Sequence, residues 1–185
     1  PIGRSNELLN PALLSACVAG GVTSVEVWSR PRVLVAPTGD EVVPLGHPLG
    51  HGQVYDSNAA GLQALVDECG ARAEHAGIVI DHLDSLVALL QQPDFDLVVT
   101  IGGTSVGRRD LVSAAMDQVG ETLVHGVAVK PGKPLLLGRV GGRPMVGLPG
   151  FPTSCMPMGS PSSEKPQASE SAGWPERFSG RRRPR

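Results

Sequence analysis

Two continuous apolar runs dominate the hydrophobic pattern of the chain. Arg32-Val33-Leu34-Val35-Ala36 lies between Pro31 and Pro37, and Asp96-Leu97-Val98-Val99-Thr100-Ile101 runs into Gly102-Gly103. Neither alternates apolar with polar residues, so each predicts a strand buried on both faces. Between and after them, apolar residues recur at helical spacing. Leu62, Leu65, Val66 and Cys69 form one stripe, opened by Asp56-Ser57-Asn58 as its cap and closed by Gly70. Leu86, Leu89 and Leu90 form a second, and Leu111, Ala114, Ala115 and Val119 a third. A further strand is expected from Ala76 to Ile80, and a closing strand pair from Pro134 to Val140 and Pro144 to Leu148 around Gly141-Gly142. Ahead of all these, Asn10-Pro11 opens a short helix over Ala12 to Val18 that Gly20-Gly21 stops. Strand and helix alternate, which predicts an α/β fold, a three-layer α/β/α sandwich with a mostly parallel sheet from about Arg32 to Ser154.

Composition changes this picture in a few places. The chain has 185 residues, of which 41% are hydrophobic but only 3% aromatic, so the core of one domain must be built from Val, Leu, Ile and Ala. Its 24 glycines and 17 prolines point to functional loops between short elements. The formal net charge of −2 gives no overall field to attract nucleic acid or an anionic membrane, and neither is expected as a partner. No apolar run approaches the ~20 residues that span a bilayer, and Pro1-Ile2-Gly3-Arg4 has no leader pattern, so a cytoplasmic location is expected. Cys17, Cys69 and Cys155 lack a CxxC spacing and read as buried thiols. The histidines, His47, His51, His75, His82 and His125, do not fall at metal-ligand spacings and receive no role. From Met156 the text turns to Pro, Ser and Gly without apolar periodicity and ends in Arg181-Arg182-Arg183-Pro184-Arg185. The expected organisation is therefore residues 1–31 as the end of a preceding domain or a linker, 32–154 as the α/β domain, and 155–185 as a disordered or aberrant tail such as a misjoined reading frame produces.

Ligands of an open parallel sheet sit beyond the carboxyl ends of its strands, and those ends carry the candidate chemistry. The first strand runs out at Thr38-Gly39-Asp40-Glu41, the second at Asp81, the third at Gly102-Gly103-Thr104-Ser105-Val106-Gly107 with Asp110 beyond, and the last at Leu148-Pro149-Gly150. Glycines ahead of a helix let backbone N–H groups close around phosphate oxygens, and Thr104 and Ser105 add hydroxyls, although the same loop also serves as an ordinary tight turn. Lys130-Pro131-Gly132-Lys133-Pro134 holds two ammonium groups on a stiff bend that suits an anion, or simply a solvated turn. Glu41, Asp81 and Asp110 repel anions, so beside a phosphate their natural mediator is a hard cation such as Mg²⁺, held by one or two carboxylates; taken singly, each remains an ordinary surface acid.

These motifs, in this order and with Gly52-Gln53-Val54-Tyr55-Asp56-Ser57-Asn58 among them, resemble the molybdopterin molybdenumtransferase family over about Asn10 to Ser154. The resemblance implies the molybdopterin-binding domain fold. It implies insertion of molybdenum from molybdate into adenylylated molybdopterin, the last step of molybdenum-cofactor synthesis, with Mg²⁺ assisting. It places Glu41, Asp81, Asp110 and Lys130 in the catalytic site. Thr38, Gly39, Asp40, Gly102, Gly103, Thr104, Ser105, Gly107, Lys133, Pro149 and Gly150 would bind the pterin ligand. A homodimer is implied for the full-length enzyme, whose other domains and second subunit complete the site, so this stretch alone is expected to be a poor catalyst. Gly126 stands where the enzymes often have a further lysine, Phe151 replaces the usual asparagine after Leu148-Pro149-Gly150, and the helix expected after Ser154 is replaced by the tail. A non-catalytic scaffold that keeps the pterin pocket is the alternative from another class. A molybdopterin adenylyltransferase shares the Gly-Gly-Thr loop but continues it differently and lacks Lys-Pro-Gly-Lys-Pro.

Overall fold

The structure, a computed structural model, describes residues 2–104, 110–130 and 132–159, the last three of these as backbone only. The expected ligand residues Ser105 and Gly107, and the tail beyond residue 159, lie outside the described residues. The chain divides into two compact units, one holding residues 2–29 and the other starting at Arg30. In the first, helix α1 (Pro11–Ala19) begins as the sequence predicts. Asn10 caps it by accepting the Leu13 N–H at 2.9 Å, proline occupies the first turn, and the Gly20 N–H closes it on Ala16. None of its residues is buried.

The second unit runs β1 (Arg32–Pro37), β2 (Val42–Val43), β3 (Val54–Tyr55), α2 (Asn58–Glu68), β4 (Arg72–His75), α3 (Leu83–Leu90), β5 (Leu97–Ile101), α4 (Leu111–Val119), β6 (Gly120–His125), β7 (Leu136–Val140), β8 (Arg143–Leu148) and α5 (Pro152–Gly159). Six strands form one sheet in the order β4-β1-β5-β8-β7-β6; the first four are mutually parallel and β7 is antiparallel to both its neighbours. Successive strand residues face opposite layers, which explains the unbroken apolar runs. Leu34, Ala36 and Val98 pack on α3 and α4 through Leu86, Leu89, Leu90, Val112, Ala115 and Met116. Val33, Val35, Val99 and Ile101 pack on the other side with Ala59 and Leu62 of α2 and Cys155 of α5. The fold is thus the expected three-layer sandwich with a mostly parallel sheet. Among the described residues no helix is long and apolar enough to cross a membrane.

Besides the short parallel pair of β2 and β3, which the sequence reading does not anticipate, three elements differ from it. The strand expected over Ala76–Ile80 lies earlier, at Arg72–His75, paired residue for residue with Arg32–Val35. The chain turns away at Gly77, with φ +81° and its N–H held by the His75 ring at 2.9 Å, and only Val79 returns to bridge Thr38. Strand β6 follows α4 directly at the edge of the sheet, and its mostly exposed residues carry no buried-strand pattern. The third difference corrects the expected loss of a helix after Ser154, because α5 forms and runs across the boundary expected there. The Phe151 carbonyl accepts the N–H groups of Ser154 at 2.9 Å and Cys155 at 2.8 Å, and Pro152 fits the first turn, where its missing N–H costs nothing. Cys155 is wholly buried and Met156 packs on the same core, so the sheet face is covered there.

Burial, and secondarily the charge of Asp56, pushes the Cys155 thiol up to about 11. Around pH 8 only roughly a thousandth of it is thiolate. In a native thiol titration, exposed Cys69 is expected to react promptly and Cys155 only once the chain is unfolded. Prompt native labelling of Cys155 would mean that α5 does not cover the sheet.

Candidate functional site

The order of the strands sets where a ligand can enter. From β1 the chain crosses to β4 on one side, then to β5 on the other, so the crevice of the switch point opens beyond the carboxyl ends of β1 and β5. The registers Pro37↔Ile101 and Ile101↔Leu148 bring the expected loops of β1, β5 and β8 to one edge. Gly102 and Gly103 have φ of +92° and +66°. A Cβ on Gly102 would lie 2.9 Å from the Thr38 carbonyl oxygen, and one on Gly147 would lie 2.7 Å from the Thr104 methyl. Gly150 rests against Gly102, and its carbonyl accepts from Asn58 Nδ2 at 2.7 Å. At Gly102 glycine is required by this close backbone approach.

The threonines of these loops are bonded to the neighbouring strands. Thr38 is buried and donates to the Ile101 carbonyl at 3.2 Å; Thr104 is buried and donates to Leu148 at 3.3 Å. Each spends its proton inside the protein and braces a loop against a neighbouring strand. The N–H groups of Gly103 and Thr104, by contrast, have no acceptor among the described residues. Buried Gly39 spends its own N–H on Val79, and Pro149 is buried beneath the same edge.

The acidic residues fall into two groups. The Asp81 N–H is accepted by Asp40 Oδ1 at 3.1 Å, while the Glu41 carboxylate folds back over Gly39. Burial first, then the charges of Asp40 and Glu41, hold the Asp81 carboxyl above its ordinary 3.8. A raised carboxylate binds its proton more firmly folded than unfolded, so stability falls as pH rises through the window that begins near 3.8. Asp81→Asn should therefore raise the melting temperature at neutral pH, with the gain vanishing as the pH drops below that window. A lower neutral melt for Asp81→Asn would contradict a repulsive cluster.

Asp110 stands in the second group. Its Oδ1 caps α4 by accepting the Ser113 N–H at 2.8 Å, and its Oδ2 lies 2.8 Å from His125 Nε2. That oxygen is buried and has no hydrogen bond among the described residues, the imidazole standing at ion-pair distance. No described contact joins Asp110 to Glu41, and no three His, Cys, Asp or Glu side chains among the described residues form a metal cage.

His125 ends β6, and the loop beyond it carries Lys130 and Lys133, both exposed. Gly126 N–H to Leu135 and Val127 N–H to Lys133 close that loop. Since His125 pairs with Leu136 and Leu136 with Gly147, the lysines emerge at the same edge of the sheet as the glycine loops. His125 was invisible to a search for ligand spacings, as was His75, whose Nε2 lies 2.9 Å from Asp56 Oδ2. The Asp56 carboxylate also caps α2 through the Ala59 N–H at 3.0 Å. That pair lines a separate cleft of about 390 Å³ with Pro44, Leu45 and Gln63.

The family profile described as "Probable molybdopterin binding domain" matches residues 34–161. A molybdopterin molybdenumtransferase of Haemophilus influenzae is 33% identical over 150 residues, covering 80% of this chain and 37% of its own length. Molybdopterin molybdenumtransferase 2 of Mycobacterium tuberculosis is 37% identical over 163 residues, covering 83% of this chain and 40% of its own. Among solved structures, a molybdopterin biosynthesis protein from Pyrococcus horikosii superposes with a TM-score of 0.72 at 37% identity, over 83% of this chain and 39% of that one. The chain therefore spans about two fifths of the length of these relatives.

Proposed function

The chain belongs to the family of molybdopterin-binding domains, and from that premise we propose that its strand-end cleft binds adenylylated molybdopterin and serves the insertion of molybdenum from molybdate. The observation that carries the reading is the glycine loop after β5, whose Gly103 and Thr104 N–H groups lack acceptors among the described residues at the switch point of the sheet. Such amides receive phosphate oxygens without a side-chain charge, and Thr38 and Thr104 hold them in place from behind. Lys130 and Lys133 supply positive charge at the same edge, so that a multiply charged anion enters against the acidic residues with part of its charge offset. Lys130→Ala should weaken binding of the anionic ligand before it affects any later step.

Glu41, Asp81 and Asp110 are the acidic groups of this reading. Their donor chemistry fits Mg²⁺, with hard carboxylate oxygens and, in Asp110 Oδ2, a buried oxygen free of hydrogen bonds among the described residues. One or two of these carboxylates together with substrate phosphate suffice for that ion. Glu41 and Asp110 would hold it, and it would supply charge neutralisation between the anionic ligand and the acidic wall. The other walls of the site, a homodimeric full-length enzyme and a cytoplasmic setting belong to the same proposal. So does the assignment of residues 1–31 to the end of a neighbouring domain.

The test supplies the purified chain with adenylylated molybdopterin, molybdate and Mg²⁺ and follows both bound pterin and molybdenum-loaded pterin. Binding with slow insertion, accelerated when the neighbouring domains are joined to it, supports an enzyme domain. Binding with no insertion in either form would favour the scaffold alternative.

A further inference from the structure

Phe151 is the most exposed aromatic side chain among the described residues, at 78%. It stands one residue beyond Gly150, which lies against Gly102, at the carboxyl end of β8. Its backbone is fixed, since its carbonyl accepts two N–H groups from the first turn of α5 and the Gly150 carbonyl before it accepts from Asn58. A large apolar ring held on a fixed backbone beside the glycine loop that follows β5 is left largely uncovered by the described residues. The other described aromatics of this unit are engaged elsewhere. Phe95 is buried in the core under the Arg32 guanidinium, and the Tyr55 hydroxyl donates to the His47 carbonyl at 2.9 Å.

We infer that Phe151 is a further binding residue of this cleft, offering its ring as the stacking face for a flat heteroaromatic ring of the ligand. The inference rests on the proposed function, in which the ligand carries two such rings, a pterin and an adenine, joined through phosphate. The backbone N–H groups of the glycine loop recognise charge and carry no preference for a ring; a conjugated heterocycle gains a π face only from an aromatic or guanidinium neighbour. Phe151 supplies that face while leaving phosphate binding to the loop.

The two sources of a ring are separated by titrating the full chain with molybdopterin and with AMP, each beside inorganic phosphate as a ligand without a ring. Phe151→Ala should weaken either molybdopterin or AMP about tenfold. Phe151→Tyr should restore that loss and Phe151→Leu should not, with phosphate binding and the melting temperature unchanged throughout. The ligand that responds identifies the ring. Unchanged affinity for both ring ligands in Phe151→Ala overturns the inference while leaving the proposed function standing. Parallel loss of phosphate binding overturns it too, as the mark of a structural residue. Failure of the unaltered chain to bind molybdopterin removes the proposed function and this inference with it.

Discussion

A Gly102→Ala chain should lose much of its stability and nearly all of its ligand binding. The residue sits at φ +92°, where an L side chain is strained, and its new methyl would lie 2.9 Å from a backbone oxygen of Thr38 that is tied into the sheet. Strain of about 1–3 kcal/mol and overpacking of about the same size add to about 2–6 kcal/mol, against the ~5–15 kcal/mol of an ordinary domain. Gly142→Ala is the control. It introduces the same methyl at φ +78° in the β7–β8 turn, with no neighbour within 4 Å, so it carries strain without collision. Urea midpoints of the two variants should differ by the collision alone. Equal midpoints would show that the Thr38 and Gly102 loops do not pack as described.

The second large effect concerns Asp110, where substitution separates two roles of one carboxylate. Asp110→Asn keeps the oxygen that caps α4 and should melt near the unaltered chain, whereas Asp110→Ala removes the cap at a cost of about 1 kcal/mol. Both remove the charge facing His125. Within the proposed function, both should lower molybdenum insertion by about a hundredfold while molybdopterin affinity changes much less. Loss of the Mg²⁺-induced rise in melting temperature in Asp110→Asn gives a readout independent of turnover. Equal loss of insertion and pterin binding would make the residue structural.

How much of this was legible in the chain depended on whether a feature is local. The buried runs of β1 and β5 and the stripes of α3 and α4 announce themselves because their periodicity is set by burial on known faces, and the Gly141-Gly142 turn by its residue type. The glycine loops, with Asp40 and Glu41, were legible as strand ends, whereas Asp81 was not, because β4 ends at His75 and the chain turns away before Asp81. The contact of His125 with Asp110 was not, because it depends on β6, an exposed edge strand whose Gly-Glu-Thr-Leu-Val-His text has no buried face to mark it. Helix α5 was hidden by its composition, Pro152, Met156, Pro157 and Gly159, which suggests irregular chain; the carbonyl of Phe151 and the burial of Cys155 make the difference. The bracing bonds of the Thr38 and Thr104 hydroxyls to the carbonyls of Ile101 and Leu148 were not legible either, because they depend on how neighbouring strands are brought together.

The most direct measurement is hydrogen exchange on the chain with and without saturating molybdopterin. The account predicts saturable binding with new protection concentrated at Thr38 to Glu41, Gly102 to Thr104 and Pro149 to Phe151. No binding, or protection centred instead on Asp56, Gln63 and His75 around the separate cleft, would contradict it.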